Sequence, residues 1–424
     1  MLKRSEKRSR VAYIGEAGFE YFISLFVTST FLTYLMIDLG IPDAWTGVLA
    51  NVATFANALQ LLALCVRRTR VKRLTTVLHI INQLAFSALY LLPISSTLSP
   101  NLKTALFVLL LMLGYFISAA ISPIKLNWMM EAVPDRMRGR FTATKEMISL
   151  LGGMILSLGL GRLADSFKAR GELSTYWRIG CIAMLVLTLL HTVTLLLVDE
   201  SQAPERDREP IGERLLLILK NRTLVKVISV GVIWSIASSL SASFFAVYAQ
   251  KDLAFTLTTI TVIGIVGSLA RIIVSPFLGR LADKTSFAFS MTLCFGTMVL
   301  AFLFMVFAAP GVMRWAYLGY IILHSAAMGG INSGSINLIF DYVTPKQRTA
   351  ALGIKNAISG FLAFLFSIIG GRILACIQAN GGIRIFGVCL YAQQFLALLS
   401  VVIIFLLMLY TRFVVSPLQR SKGE

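Results

Sequence analysis

Two stretches set 210 positions apart decide the fold: Asn127-Trp128-Met129-Met130-Glu131-Ala132-Val133-Pro134-Asp135-Arg136-Met137-Arg138 and Asn337-Leu338-Ile339-Phe340-Asp341-Tyr342-Val343-Thr344-Pro345-Lys346-Gln347-Arg348. They share Asn127 with Asn337, Val133 with Val343 and Arg138 with Arg348, and they set acidic Glu131 against Asp341. The offset continues without a gap, pairing Lys145 with Lys355, Ile148 with Ile358, Ser149 with Ser359, Ser157 with Ser367, Gly161 with Gly371 and Arg162 with Arg372. Chance likeness between apolar segments would match Leu, Val and Ala, whereas these matches include polar residues and glycine. Duplication of a long segment accounts for them.

Outward from this pair, apolar runs bounded by charge, proline or polar clusters predict helices over 12–38, 45–66, 74–94, 104–131, 142–163 and 176–198. A second set follows over 223–249, 256–279, 287–309, 314–340, 350–376 and 384–411. A membrane span needs about 20 mostly apolar residues, because hydrocarbon offers no partner to backbone N–H and C=O groups. The expectation is an all-α integral membrane protein of about twelve transmembrane helices in two pseudo-symmetric six-helix bundles, 1–198 and 223–424. The stretch 199–222, with mixed charges, Pro204 and Pro210, reads as the cytoplasmic linker.

Composition agrees: 57% of the 424 residues are hydrophobic, 14% are charged, and the mean hydropathy is +0.79. The net charge of +19 does not point to nucleic acid, since Lys and Arg fall in short clusters between apolar segments. The clusters Lys3 to Arg10, Arg67 to Arg73 and Arg136 to Arg140 alternate with poorer loops and place both termini on the cytoplasmic side, the inner membrane of a cell being expected. Arg162, Lys168, Arg170 and Arg178 run against that bias. Cys65, Cys181, Cys294, Cys376 and Cys389 lie in or beside apolar runs without metal-like spacing, and no disulfide framework is expected. No cleaved leader is expected at the basic start of the chain. No P-loop, hydrolase triad or nucleotide fingerprint occurs, so neither an enzyme nor a cofactor is expected.

The segment Gly279-Arg280-Leu281-Ala282-Asp283-Lys284 resembles the loop signature of the major facilitator superfamily, and the loops Pro134 to Arg140 and Pro345 to Arg348 resemble that family's links between its fourth and fifth, and tenth and eleventh, helices. With the helix count and the repeat, the resemblance covers nearly the whole chain. It implies that Gly279, Asp283, Arg138 and Arg348 form a cytoplasmic gate, Asp283 closing on a helix N-terminus with Arg348 as partner. The equivalent loop of the first half, Cys65 to Arg73, lacks the Gly and Asp, which leaves the gate lopsided. The fifth helix lacks the Gly-Pro element usual in the family's drug/proton antiporters, against a drug exporter.

Ionisable side chains inside a span are functional candidates because charge is costly in hydrocarbon. Glu16 and Glu20, four residues apart on one helix face, would raise each other's proton affinity and suit proton coupling; the alternative is fixed ion pairing with Lys125 or Lys145. Lys125, Lys145 and its repeat partner Lys355 are cavity candidates, with snorkelling to the interface as the alternative. Arg271, mid-span in the eighth helix, would face the cavity or a carboxylate and suits an anionic group or sugar hydroxyls. Asn127, Asn332 and Asn337 complete the cavity set; Asn51, Gln393 and Gln394 read as helix-to-helix bonds. The three histidines show no ligand spacing and read as structural.

These residues predict a secondary transporter working by alternating access, the two bundles enclosing a site near the midplane. The expected substrate is a small polar organic solute, a sugar or glycoside first, with protons as coupling ion and the monomer as the working form. Organic-anion or drug export, a lipid or amphiphile flippase, and a non-transporting receptor are the competing classes.

Overall fold

The computed structural model describes residues 2–59, 71–131, 133, 138–199, 218, 220–343, 348–385 and 388–418. Its helices are α1 (Leu2–Phe26), α2 (Ser29–Asp38), α3 (Asp43–Ala50), α4 (Val52–Ala56), α5 (Val71–Leu89), α6 (Pro100–Glu131), α7 (Arg138–Ala169), α8 (Leu173–Leu197), α9 (Arg222–Ser241), α10 (Phe245–Lys251), α11 (Leu257–Lys284), α12 (Phe287–Phe307), α13 (Ala316–Phe340), α14 (Arg348–Ala379) and α15 (Ala392–Tyr410). Nine helical stretches among the described residues are long and apolar enough to cross a membrane. The spans expected over 74–94 and 314–340 form the long helices α5 and α13, whose polar residues lower their hydropathy. The span expected over 45–66 is broken into α3 and α4 and then passes into 60–70, outside the described residues, as does most of the linker.

The chain forms two compact units: residues 1–42, 59–207 and 256–261, and residues 43–58, 208–255 and 262–424. In the first, α1 packs on α7 and α8, and α5 packs on α6 and α8. In the second, α9 packs on α14 and α15, and α12 packs on α13 and α15. The neighbour scheme is the same in both, so the repeat read from Asn127 and Asn337 is also a repeat of packing. α3 and α4 lie against α14 in the second unit, where Cβ atoms at Gly360 and Gly371 would come within 2.5 Å of the Thr54 carbonyl and 2.6 Å of the Ala44 carbonyl. Only glycine permits that approach.

The first helix of each half is interrupted rather than continuous. The run expected over 12–38 breaks at Val27 and Thr28, with Thr28 extended at φ −118° and ψ 153°. The freed carbonyls are not orphaned: the Tyr90 hydroxyl donates to Phe26 O at 2.8 Å and the Tyr115 hydroxyl donates to Val27 O. At the equivalent place in the second unit, α9 passes through a 3-10 turn, Ala242–Phe244, before α10. Ser400 Oγ there donates to Ala237 O at 2.8 Å and lies 2.7 Å from Ser241 Oγ. Discontinuous helices of this kind bring backbone groups to the middle of transporters.

The last expected span starts late. Gly381 and Gly382, at φ +71° and +113°, end α14, and a short antiparallel pair follows, β1 (Ile383–Ile385) with β2 (Val388–Leu390). Gln394 then caps α15, its Oε1 accepting from Tyr391 N at 2.8 Å and its Nε2 donating to Val306 O and Ala308 O. In the first unit the Asp165 carboxylate receives Leu257 N at 3.1 Å and Thr258 N at 2.8 Å, capping α11 from α7. Asp165→Ala leaves those two N–H groups unpaired and is expected to cost about 1 kcal/mol, read as a lower midpoint in thermal unfolding. An unchanged midpoint would show that water replaces the carboxylate.

Two of the four cations that oppose the charge bias find aromatic partners: Lys168 Nζ lies 5.9 Å from the Tyr34 ring centre, and the Arg170 guanidinium 6.0 Å from that of Phe167. Cys181, Cys294, Cys376 and Cys389 are free thiols, and Cys65 lies outside the described residues.

Candidate functional site

α1 presents Tyr13, Glu16 and Glu20 along one face, at the spacing that stacks side chains on a helix. Packing on α7 and α8 turns that face inward, and it meets residues from four other helices. Glu16 is 1% exposed and Lys125, from α6, 6%. Lys125 Nζ donates to Glu16 Oε1 at 2.7 Å and also to Glu20 Oε2. One ammonium thus joins both carboxylates, and its stem does not run to an interface. A buried carboxylate persists as an ion only where such donors replace its hydration. Glu20 is the open member, with 39% of its side chain exposed.

Two histidines complete the cluster. His191 of α8, fully buried, places Nε2 3.2 Å from Glu16 Oε1 and Nδ1 2.7 Å from Gln83 Nε2 of α5. His79, one turn before Gln83, is 2% exposed, with Nε2 4.0 Å from Glu20 Oε1 and its ring edge-on to His191 at 5.1 Å. Among the described residues neither His79 nitrogen has a hydrogen-bond partner, and nor does Gln83 Oε1. Neither histidine stands at ligand spacing along the chain, so spacing alone does not mark them. The usable signal was the stripe Thr75, Thr76, His79, Asn82, Gln83 on α5, all buried. A polar face on a membrane helix turns toward protein.

The other sequence candidates disperse. Lys145 is not in the ion cluster; its Nζ lies over the Tyr13 ring at 4.9 Å. The side chains of Asn127 and Arg138 lie outside the described residues. In the second unit Arg271 is exposed on α11, facing α13, where its stem would be 3.5 Å from a Cβ at Gly329. Its side chain makes no hydrogen bond or ion pair among the described residues, and its charge acts on His324 of α13. The His324 ring is 5.3 Å from that of Tyr320 and 6.5 Å from that of Trp234. Asn332 is exposed and Asn337 half-buried on α13; Lys355 is half-buried on α14 against α9, where a Cβ at Gly231 would meet its Cε at 2.7 Å.

Among the described residues Asp283 and Arg348 form no ion pair, unlike the pairing that the resemblance implies. Gly279 and Asp283 are exposed at the end of α11, and Arg348 lies over the Phe340 ring at 4.7 Å. A guanidinium stacks on a neighbouring aromatic face at little entropic cost, and Phe340 is the last residue of α13. Asn51 serves packing: its amide donates to Gly47 O at 3.1 Å and to Ser243 Oγ, and its Oδ1 accepts from Ser239 Oγ. Trp128 is buried and donates from Nε1 to Asp199 O at 2.9 Å. Among the described residues no three His, Cys, Asp or Glu side chains are grouped to hold a metal ion.

A largely helical membrane protein of duplicated units, with broken first helices and buried charge, has the build of a solute carrier. The family model of the Major Facilitator Superfamily matches residues 17–367 and 245–423, and the chain belongs to that family. Its fold is similar to that of the nucleoside transporter NupG, with a TM-score of 0.70, 13% identity, and coverage of 96% of this chain and 99% of that one. It is also similar to an auto-inhibited POT family peptide transporter, at TM-score 0.69 and 15% identity over 98% of this chain and 99% of that one. For a D-xylose-proton symporter the values are 0.67 and 16%, over 98% of both chains. No curated protein matches the chain by sequence.

Proposed function

We propose that this protein is a proton-coupled secondary transporter that moves a small polar organic solute across the cytoplasmic membrane by alternating access, with 1–198 and 223–424 as the two moving bundles. The observation that carries the coupling is the Glu16, Glu20, Lys125 cluster: two carboxylates held by one ammonium, one carboxylate sealed and the other open. Such a site gains or loses a proton when its exposure changes sides. A sugar or glycoside is the first choice of solute, and nucleosides enter the panel because NupG shares the fold. Both termini lie on the cytoplasmic side in this reading. Lys72 supports that side as the basic one, donating to Leu196 O and Val198 O at the end of α8, beside the Arg8 to Asp199 ion pair at 2.9 Å. The monomer is the working unit.

The direct test is proton movement into proteoliposomes holding a pH dye, on addition of sugars, glycosides, nucleosides and organic acids in turn. Solute-dependent acidification or alkalinisation of the lumen is expected for one class. A protein that binds a solute and exchanges it without any proton flux would refute the coupling.

Arg271 favours one competing solute class, organic anions, because its guanidinium has no ion-pair partner among the described residues and its charge reaches His324. If the solute is anionic, Arg271→Ala is expected to raise its apparent KM at least about tenfold by loss of a charged contact, while a neutral solute loses little. Initial rates of uptake against solute concentration decide between them.

A further inference from the structure

The charges of the cluster do not balance. Glu16 and Glu20 contribute two negative charges and Lys125 one positive, all within ion-pair distance. An uncompensated charge so placed is costly, and one further cation neutralises it. His191 is the side chain best situated to be that cation. Its two ring nitrogens face two different partners, Glu16 Oε1 at 3.2 Å and the Gln83 amide at 2.7 Å. Around it stand Glu16, Glu20 and Tyr13 on α1, His79 on α5, Lys125 on α6, and Lys145 on α7, which remains over Tyr13.

We propose that His191 is the seat of the transported proton, clamped between Glu16 and Gln83, and this rests on the proton-coupled reading above. In the neutral form His191 Nε2–H donates to Glu16 and Nδ1 accepts from Gln83 Nε2–H. On protonation the lone pair of Nδ1 takes the proton, and the Gln83 amide turns over so that Oε1 accepts the new N–H. That turn is open because Gln83 Oε1 holds no hydrogen bond among the described residues. The protonated cluster then has two anions and two cations. Glu20 is the more open carboxylate, and His79, edge-on to His191 and 4.0 Å from Glu20, stands between the two. His79 and Gln83 are positioning residues for the proton, while His191 binds it.

The test is nitrogen NMR of histidine-labelled full-length protein in lipid nanodiscs, titrated from about pH 5 to about pH 9, a window that spans imidazole ionisation. The chain has 3 histidines, so loss of one signal set in His191→Gln assigns it. The expected result is an imidazolium spectrum at the acid end and a single Nε2–H tautomer at the alkaline end. In Glu16→Gln the midpoint is expected to fall by about one unit, a tenfold weaker hold on the proton. Should His191→Gln fail to fold, assignment by elimination from His79→Gln and His324→Gln replaces it, and Gln83→Leu is expected to lower the midpoint as well. One neutral tautomer throughout, in a protein whose solute uptake follows the pH gradient, overturns the His191 seat and leaves coupling with the carboxylates. Titration as described, in a protein whose uptake ignores the gradient, retains the seat and removes the coupling.

Discussion

Replacing Glu16 and Glu20 together with glutamine is expected to abolish uphill accumulation of the transported solute. In proteoliposomes with a gradient of about one pH unit, a carrier moving one proton per neutral solute sustains about a tenfold accumulation, the equivalent of 1.36 kcal/mol. Glutamine still accepts the hydrogen bonds of Lys125 and His191 but carries no negative charge to hold a proton in the cluster, so the ratio falls to one. The single variants should differ. Glu16→Gln removes the sealed carboxylate that faces both Lys125 and His191, whereas Glu20→Gln removes the open one and slows exchange with water. A double variant that accumulates solute like the parent protein would remove the carboxylates from the mechanism.

Lys125→Met is expected to have the largest effect on stability. It leaves Glu16, 1% exposed, beside Glu20 with no ammonium between them. Breaking a buried pair by removing one partner costs about 3–5 kcal/mol, because the remaining charge keeps its desolvation penalty. Partial relief comes from a proton held permanently by one carboxylate, which also ends coupling near neutral pH. In detergent the apparent melting temperature should drop by on the order of 5–10 °C. Lys125→Arg keeps the charge and should recover most of that loss. If Lys125→Met melts like the parent, the cluster is not a compensated ion site and water must enter it freely.

Much of the architecture was legible in the chain. The offset joining Asn127 to Asn337 and Lys145 to Lys355 announced the duplication, and the packing of α1 on α7 and α8 is repeated by α9 on α14 and α15. Glu16, Glu20 and Lys125 were also visible, since three ionisable residues inside apolar runs are rare enough to demand partners. Less legible was their company. His79 and His191 are separated by 112 positions, and nothing in local spacing marks them as neighbours. Lys145 and Lys355, equivalent in the repeat, have different surroundings, one over Tyr13 and the other against α9. A duplicated backbone does not preserve side-chain roles once its two copies diverge.

The sequence by itself determined the membrane setting, the repeated helix plan and the short set of buried charges, because hydrocarbon imposes span length and penalises every unpaired polar group along the chain. Only the tertiary structure decided which charges meet, where the first helices break and that Arg348 lies over Phe340. Those outcomes depend on how each helix is rotated against its neighbours and on donors such as Tyr90 and Tyr115 that reach a broken turn from another helix. Rotation and reach are properties of packed helices, and no single stretch of chain encodes them.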